Sequence, residues 1–321
     1  MLSLQFPPFI VGLSPMDDIS DMPFRELCKE FGADLLITEF IASEALNRDA
    51  EKSLRKMRFS DNQRPIGIQI FGADEEELLR CLEVVEQAEP DFIDINWGCP
   101  VRKVAGKGAG SGILQDIPKM LRITAHIVQR AHLPVTVKTR LAYSTDSMMI
   151  TDFAEALQDT GIAALSIHGR TKTQMYSGTA DWRPIAEVKA NPRIHIPIFG
   201  NGDITTAAQV VDSKNNYGVD GVLIGRGAIG NPWIFEQSRR LLTGLPEREV
   251  TVGERVEVCS RHLQAAIDFK GERTAVFEMR KHYGAYFKGL FNFKPFRLAL
   301  VSTPSADETF KVLDQIAEHY A

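Results

Sequence analysis

Eight short apolar segments recur along the chain, at 10–16, 35–40, 66–70, 92–98, 135–141, 164–170, 196–202 and 221–227, and most end on a polar or glycine-rich tip. The stretches between them are long enough for helices. In 74–87, Leu78, Leu79, Leu82 and Val85 fall on one helical face, and Asp and Glu crowd the first turn. In 151–159, Phe153, Ala154 and Leu157 share a face. Asn231-Pro232 reads as a cap followed by an N1 proline, so a helix is expected to open at Trp233. Strand followed by helix, repeated eight times, predicts an α/β fold of the closed parallel kind, a TIM (β/α)8 barrel. The Ile, Val, Leu and Phe content of the segments suits strands buried on both faces. Such a barrel places its chemistry at the C-terminal ends of its strands, which makes the segment tips the candidate site residues.

The pattern changes after Thr243-Gly244-Leu245-Pro246 and is helical only. Val252, Val256, Cys259, Leu263 and Ala266 form one stripe. Val276, Met279, Tyr283, Tyr286 and Leu290 form a second, and Phe310, Leu313, Ile316 and Tyr320 a third, entered through Thr303-Pro304. The expected organisation is a barrel over 1–243 and a C-terminal all-helical bundle domain over 246–321, docked on it. The length of 321 residues suits a barrel of about 250 residues with a domain of about 75 added.

A net charge of -5 means that nucleic-acid binding would need a local basic patch. Cys28, Cys81, Cys99 and Cys259 form no CxxC pair and no zinc spacing with His, so neither a disulfide framework nor a metal site is expected. The N-terminus lacks the basic start of a signal peptide, and no apolar run approaches about 20 residues, so no membrane span is expected. A reducing cytoplasm fits these features, and a monomer with no obligate protein partner is the default.

The last two tips read Gly200-Asn201-Gly202-Asp203 and Gly225-Arg226-Gly227. Glycines let backbone amides approach an anion, and the loops after the last two strands are the usual phosphate site of such barrels. The alternative is two tight turns that need glycine. Lys138 and Arg140 lie two apart on one segment, and His168 and Arg170 on the next, so each pair shares a face. Cations at strand ends need a ligand or an internal partner such as Asp94 or Glu39. Together with the glycine tips they suggest an electron-rich, phosphorylated cofactor. Cys99, in Asn96-Trp97-Gly98-Cys99-Pro100, is pinned by Gly and Pro on a catalytic-face loop and is a candidate acid or nucleophile. The other cysteines read as core. The basic, glycine-rich run 101–110, with Arg102, Lys103 and Lys107, reads as a surface loop or as a mobile lid touching a polyanion. Residues 280–297 carry Arg280, Lys281, Lys288, Lys294 and Arg297, interleaved with aromatics and with no acidic residue. Such a face suits a nucleic-acid backbone, although much of the aromatic content must be core.

These pieces in this order resemble the tRNA-dihydrouridine synthase family, flavin barrels that reduce uridine in transfer RNA. The match rests on NWGCPVRKVAGKGAGSGIL (96–114), VKTRL (137–141), HGRTKTQMYSG (168–178), GNGDI (200–204), IGRGAIGNPWIF (224–235) and RKHYGAYFKG (280–289), with SPM (14–16) and IQIFG (68–72) fitting as well. The resemblance implies that Pro15, Met16 and Gln69 line the isoalloxazine of FMN, with Asp17 beside them where a small residue is expected. It implies that Lys138 and His168 hydrogen-bond the flavin, that Asn201, Gly202, Asp203, Gly225 and Arg226 hold its phosphate, and that Cys99 protonates uracil. Asn96, Arg102, Lys103, Lys107, Arg140, Arg170, Arg280, Lys281 and His282 become candidates for contact with substrate or tRNA. Tyr176 and Trp97 become aromatic neighbours of an extruded base. Ala142 stands where glycine is common.

The reaction so implied saturates the C5=C6 bond of uridine, with hydride from FMN, a proton from Cys99, and NADPH (or NADH) as transient reductant, since no GxGxxG dinucleotide fold is present. Two other readings differ in what they need. A barrel reducing a free pyrimidine, of the dihydroorotate-dehydrogenase kind, would not need the basic helical appendage. A non-catalytic tRNA-binding protein would not need Cys99 and Lys138.

Overall fold

The computed structural model describes residues 6–321. Its strands are β1 (Ile10–Leu13), β2 (Leu36–Ile37), β3 (Ile41–Ala42), β4 (Ile66–Phe71), β5 (Phe92–Trp97), β6 (Val135–Arg140), β7 (Ala164–His168), β8 (Ile198–Asn201) and β9 (Gly221–Ile224). All pair in parallel, in the order β1-β9-β8-β7-β6-β5-β4-β2, with β3 also on β4. The seam between β1 and β2 is bridged by Leu13 N–H donating to the Leu35 carbonyl (2.9 Å) and Asp34 N–H to the Val11 carbonyl (3.0 Å). The barrel is thus nearly closed, and helices surround it as the alternation predicts.

The second apolar segment is not the single strand expected. It breaks into β2 and β3 because the Thr38 hydroxyl accepts the Gln69 N–H (3.0 Å), a donor that the ladder would otherwise take up. The first, seventh and eighth tips also leave the sheet earlier than the pattern suggests, turning across the barrel mouth as loops.

Alternation along each strand decides what faces where. On β5, Ile93, Ile95 and Trp97 join the large core between strands and helices, while Phe92 belongs to the plug inside the barrel with Ile10, Leu35, Ile37, Ala164, Phe199 and Leu223. The inward residues above that plug are polar. Register sets Asn96 beside Lys138, Lys138 beside Ser166, and His168 beside both Arg140 and Asn201.

Helix Glu75–Gln87 is capped by Asp74, which accepts the Glu77 N–H (2.9 Å). Helix Ile150–Asp159 buries Phe153, Ala154 and Leu157. Helix Trp233–Leu242 opens where expected, but Asn231 does not cap it: its amide donates to the Gly227 carbonyl (3.2 Å), and Pro232 occupies the cap position.

Beyond it lie helices Val252–Lys270, Glu272–Tyr286, Lys294–Ser302 and Ala306–His319. The third has no counterpart in the apolar stripes, since Leu300 alone is buried in it. This helical region docks on barrel helix Met22–Glu30 through Phe24, whose ring lies 5.4 Å from His262 and 5.2 Å from His282. Lys270 pairs with Asp21 across the same junction and with Glu278 on its own side. A second contact is closer still. Gly230, after β9, has φ +59°, and a Cβ there would stand 2.6 Å from the Tyr286 nitrogen, so this loop touches helix Glu272–Tyr286 backbone to backbone. No helix among the described residues is long and apolar enough to cross a membrane.

Candidate active site

A cavity of about 690 Å³ opens at the C-terminal mouth of the barrel. Pro15, Met16 and Asp17 line it from the β1 tip, Asn96 and Cys99 from β5, Lys138 and Arg140 from β6, and His168 from β7. Asn201, Gly202, Asp203, Gly225 and Arg226 line it from β8 and β9, and Tyr176 stands at its rim.

Asn96 organises one wall. Its carbonyl oxygen accepts the Gly98 and Cys99 N–H groups (2.9 and 2.8 Å), and its amide donates to Gln69 (2.8 Å). Ser111 donates to the Cys99 carbonyl through both N–H (3.0 Å) and hydroxyl (2.8 Å), and Arg140 Nε donates to the Gly98 carbonyl (2.7 Å). The thiol is therefore held on a braced loop with 7% of the residue exposed. Burial pushes its pKa up, outweighing the Val101 N–H and the nearby Arg140, so the sulfur keeps its proton.

The cations are unusual in their partners. Lys138 Nζ donates to the Asn201 carbonyl oxygen (3.0 Å), a neutral acceptor, and Arg140 donates to the carbonyls of Gly98, Thr171 and Met175. Neither makes an ion pair among the described residues. Asp94 is taken up by Gln69 and Thr136, and Glu39 by Lys56, so the internal pairing that these carboxylates offered is not realised. Burial, with Arg140 adding to it, lowers the Lys138 pKa to about 8. Burial and the charges of Lys138, Arg140, Arg170 and Arg226 hold the His168 imidazole neutral, far below its ordinary value. Asp94 opposes the Lys138 shift through its charge, but neither cation is bonded to a carboxylate, and buried cations so placed favour an electron-rich ligand.

The other end of the cavity is built for an anion. Asp203 accepts two bonds from Arg170 (2.9 and 2.7 Å), one from Arg226 (3.2 Å) and the Ala180 N–H (2.8 Å). Arg226 keeps 59% of its side chain exposed and lies over the Tyr176 ring (5.3 Å). A Cβ on Gly225 would meet nothing nearer than Met16 Sδ at 3.6 Å, so there is room beside it. The turn Arg226–Ala228 starts there, and the first amides of such a turn have no acceptor within it. Gly202 is required, with φ +130° and a Cβ that would stand 2.7 Å from the Ala180 Cβ.

Several expected residues lie elsewhere. Gln69 does not reach the cavity: both ends of its fully buried amide are taken by Asn96 and Asp94. Trp97 points outward and donates to Thr124 (3.1 Å), so it is no neighbour of a bound base. Arg170 is 1% exposed and bound to Asp203 and to the Ser177 and Gly178 carbonyls, which leaves nothing for RNA. Arg140, by contrast, faces the cavity, where a substrate contact is open to it. His282 is buried against Phe24 and His262 and is not a contact for tRNA. Arg102, Lys103 and Lys107 are exposed, and their loop is anchored at its C-terminal end. Gly110, Ser111 and Gly112 are buried, and a Cβ on Gly110 would press on the Cys99 carbonyl at 2.9 Å. Phe40, Thr205 and Ile229 also line the cavity. They sit at or beside marked tips, but such side chains carry no chemistry that would single them out.

A parallel barrel whose mouth joins a protonated thiol, uncompensated cations and a glycine-lined anion pocket defines a barrel enzyme for an electron-rich, phosphate-bearing ligand. A profile of the family described as Dihydrouridine synthase (Dus) matches residues 12–320. The chain belongs to the dihydrouridine synthase family. It is 35% identical over 312 residues to a probable tRNA-dihydrouridine synthase of Rickettsia conorii, covering 96% of this chain and 92% of that one. It is 36% identical over 290 residues to tRNA-dihydrouridine synthase B of Xanthomonas campestris, covering 89% and 87%. Among solved structures, histamine dehydrogenase from Rhizobium sp. 4-9 superposes with a TM-score of 0.55 at 13% identity, over 80% of this chain and 49% of that one. A mutant of morphinone reductase in complex with tetrahydroNAD superposes with a TM-score of 0.51 at 13% identity, over 75% and 88%. These two likenesses concern the barrel fold.

Proposed function

We propose that this protein reduces the C5=C6 bond of a uridine in tRNA to 5,6-dihydrouridine, with FMN as its cofactor and NADPH (or NADH) as reductant. The observation that carries the reading is the Cys99 thiol on the wall of a cavity that also holds Lys138 and the Gly225-Arg226 anion pocket. The residues fit FMN. The ring system would take the buried end, where Lys138 lacks a carboxylate and His168 is a neutral imidazole. The phosphate would take the end formed by Gly202, Gly225 and Arg226, with Asn201 and Asp203 holding that end in shape. Pro15, Met16 and Asp17 would flank the ring.

When bound, reduced FMN supplies a hydride to C6 of the uracil. The protein's own groups do the rest. Cys99 holds the proton that C5 then requires, kept on sulfur by burial and kept in place by Asn96 and Ser111. Lys138 offsets negative charge that develops in the cavity. Tyr176, exposed at the rim, offers a stacking face to a base swung out of the RNA. The helical region 246–321, through Arg280 and Lys281, and the exposed Arg102, Lys103 and Lys107 beside the Cys99 loop would grip the RNA backbone.

The test is direct. Purified protein should be yellow and, with NADPH, should form dihydrouridine in tRNA by mass spectrometry while leaving free uracil and orotate untouched. A colourless protein that takes up no FMN would end the proposal. A pH dependence follows from Lys138. The amine is charged below about 8 and neutral above it, so the affinity of the apoprotein for FMN should decline as pH rises through that value. Titration of flavin fluorescence in Lys138→Met should lack that alkaline limb.

A further inference from the structure

Helix Glu272–Tyr286 touches two of the loops that line the cavity, each at a residue next to a lining one. Lys281 Nζ donates to the Asp18 carbonyl (2.9 Å), next to Asp17, and the Tyr286 nitrogen and His282 carbonyl meet Gly230, next to Ile229. Between these contacts stands Gly284. It is exposed, its φ lies outside the left-handed region, and a Cβ there would meet nothing within 4 Å. Neither backbone conformation nor packing within the described chain needs a glycine at this place, and glycine in a helix interior lowers stability relative to alanine.

The surroundings say what the gap would admit. Phe277, Lys281 and Gly284 follow one another on the exposed face of the helix, and Lys288 and Phe291 lie just beyond its end. Phe277 and Phe291 are 64% and 82% exposed. Lys281 bonds to a neutral carbonyl, so its charge is not cancelled. The carboxylates near this rim are already engaged: Asp17 with Lys56, Asp18 with Lys52, and Glu278 with Lys270.

We infer that Gly284 is a gap kept open for an RNA strand: the segment carrying the target base crosses the helix at this residue, with its phosphates between Lys281 and Lys288. Phe291, and the face of Phe277 opposite the Arg280 guanidinium that lies over its ring (5.2 Å), then present surfaces on which unpaired bases stack. The inference rests on tRNA being the substrate. It separates stability from function, because filling the gap helps the helix and hinders the RNA.

The experiment compares holoenzyme carrying Gly284→Ala or Gly284→Leu with wild type. Gly284→Ala should raise Tm by about 2 °C. Flavin content and NADPH oxidation without tRNA should be unchanged in both variants. The KM for tRNA should rise by about 3-fold for Ala and about 10-fold for Leu, with kcat less affected. Lys288→Ala should lower the slope of log affinity against log salt by about one. A Gly284→Leu enzyme with the wild-type KM for tRNA would overturn the inference alone. Wild-type protein that neither binds nor reduces tRNA would overturn it together with the functional reading.

Discussion

Cys99→Ala should purify as a yellow, folded protein that has lost dihydrouridine formation by roughly 10²- to 10⁴-fold, the usual worth of a positioned general acid. The flavin should stay because the loop does not depend on the sulfur. Asn96, Ser111 and Arg140 hold the backbone of residues 98 and 99, and all three remain in the variant. Reduction of the bound flavin by NADPH, followed by stopped-flow absorbance, should keep its wild-type rate, since no proton to uracil is involved. Full tRNA turnover by this variant would remove the acid role from Cys99.

Asp203→Ala should damage the fold and the cofactor pocket together. Arg170 is a buried guanidinium whose charge is balanced by Asp203 through two bonds, and Arg226 leans on the same carboxylate. Leaving a buried cation without its partner costs about 3–5 kcal/mol. In a chain of this size that corresponds to a fall in Tm of roughly 10 °C. Burial alone would raise the Asp203 pKa, but the Arg170 bonds, the Ala180 N–H and the two arginine charges hold it below its ordinary value of 3.8. The sign follows: the stabilisation is fully present above that value and is lost as pH falls below it, through the lower pKa of the folded state. Wild-type Tm should therefore drop in acid more steeply than that of Asp203→Ala, and the variant should lose FMN on dilution. A variant with wild-type Tm and FMN affinity would show that Arg170 is satisfied by the Ser177 and Gly178 carbonyls alone.

What the residues disclosed in advance follows from the period of the element they sit on. Strand tips were legible because apolar runs that end in Gly, Asn, Lys or His rarely arise from packing alone, and Cys99, Lys138, His168 and Asn201 do meet in one cavity. The side that Trp97 takes is readable as well. With Asn96 turned inward, the next residue on a strand turns outward. The same holds for His282 on its helix. It shares the face of Met279, Tyr283 and Tyr286, and its basic neighbours in sequence point another way. The break at Thr38 and the thinly buried helix Lys294–Ser302 were not legible. The first depends on a side chain intercepting a distant amide, and the second buries too little to leave a stripe.

Gly230 has a mechanical meaning. Where two segments meet through side chains, rotamers absorb small displacements. Here the chain that follows the anion pocket rests on the main chain of His282 and Tyr286, with only the Ala285 methyl beside them. A tilt of that helix imposed by a docking RNA would press on the loop that follows the anion pocket, and the affinities for RNA and for the prosthetic group should then be linked by one reciprocal factor.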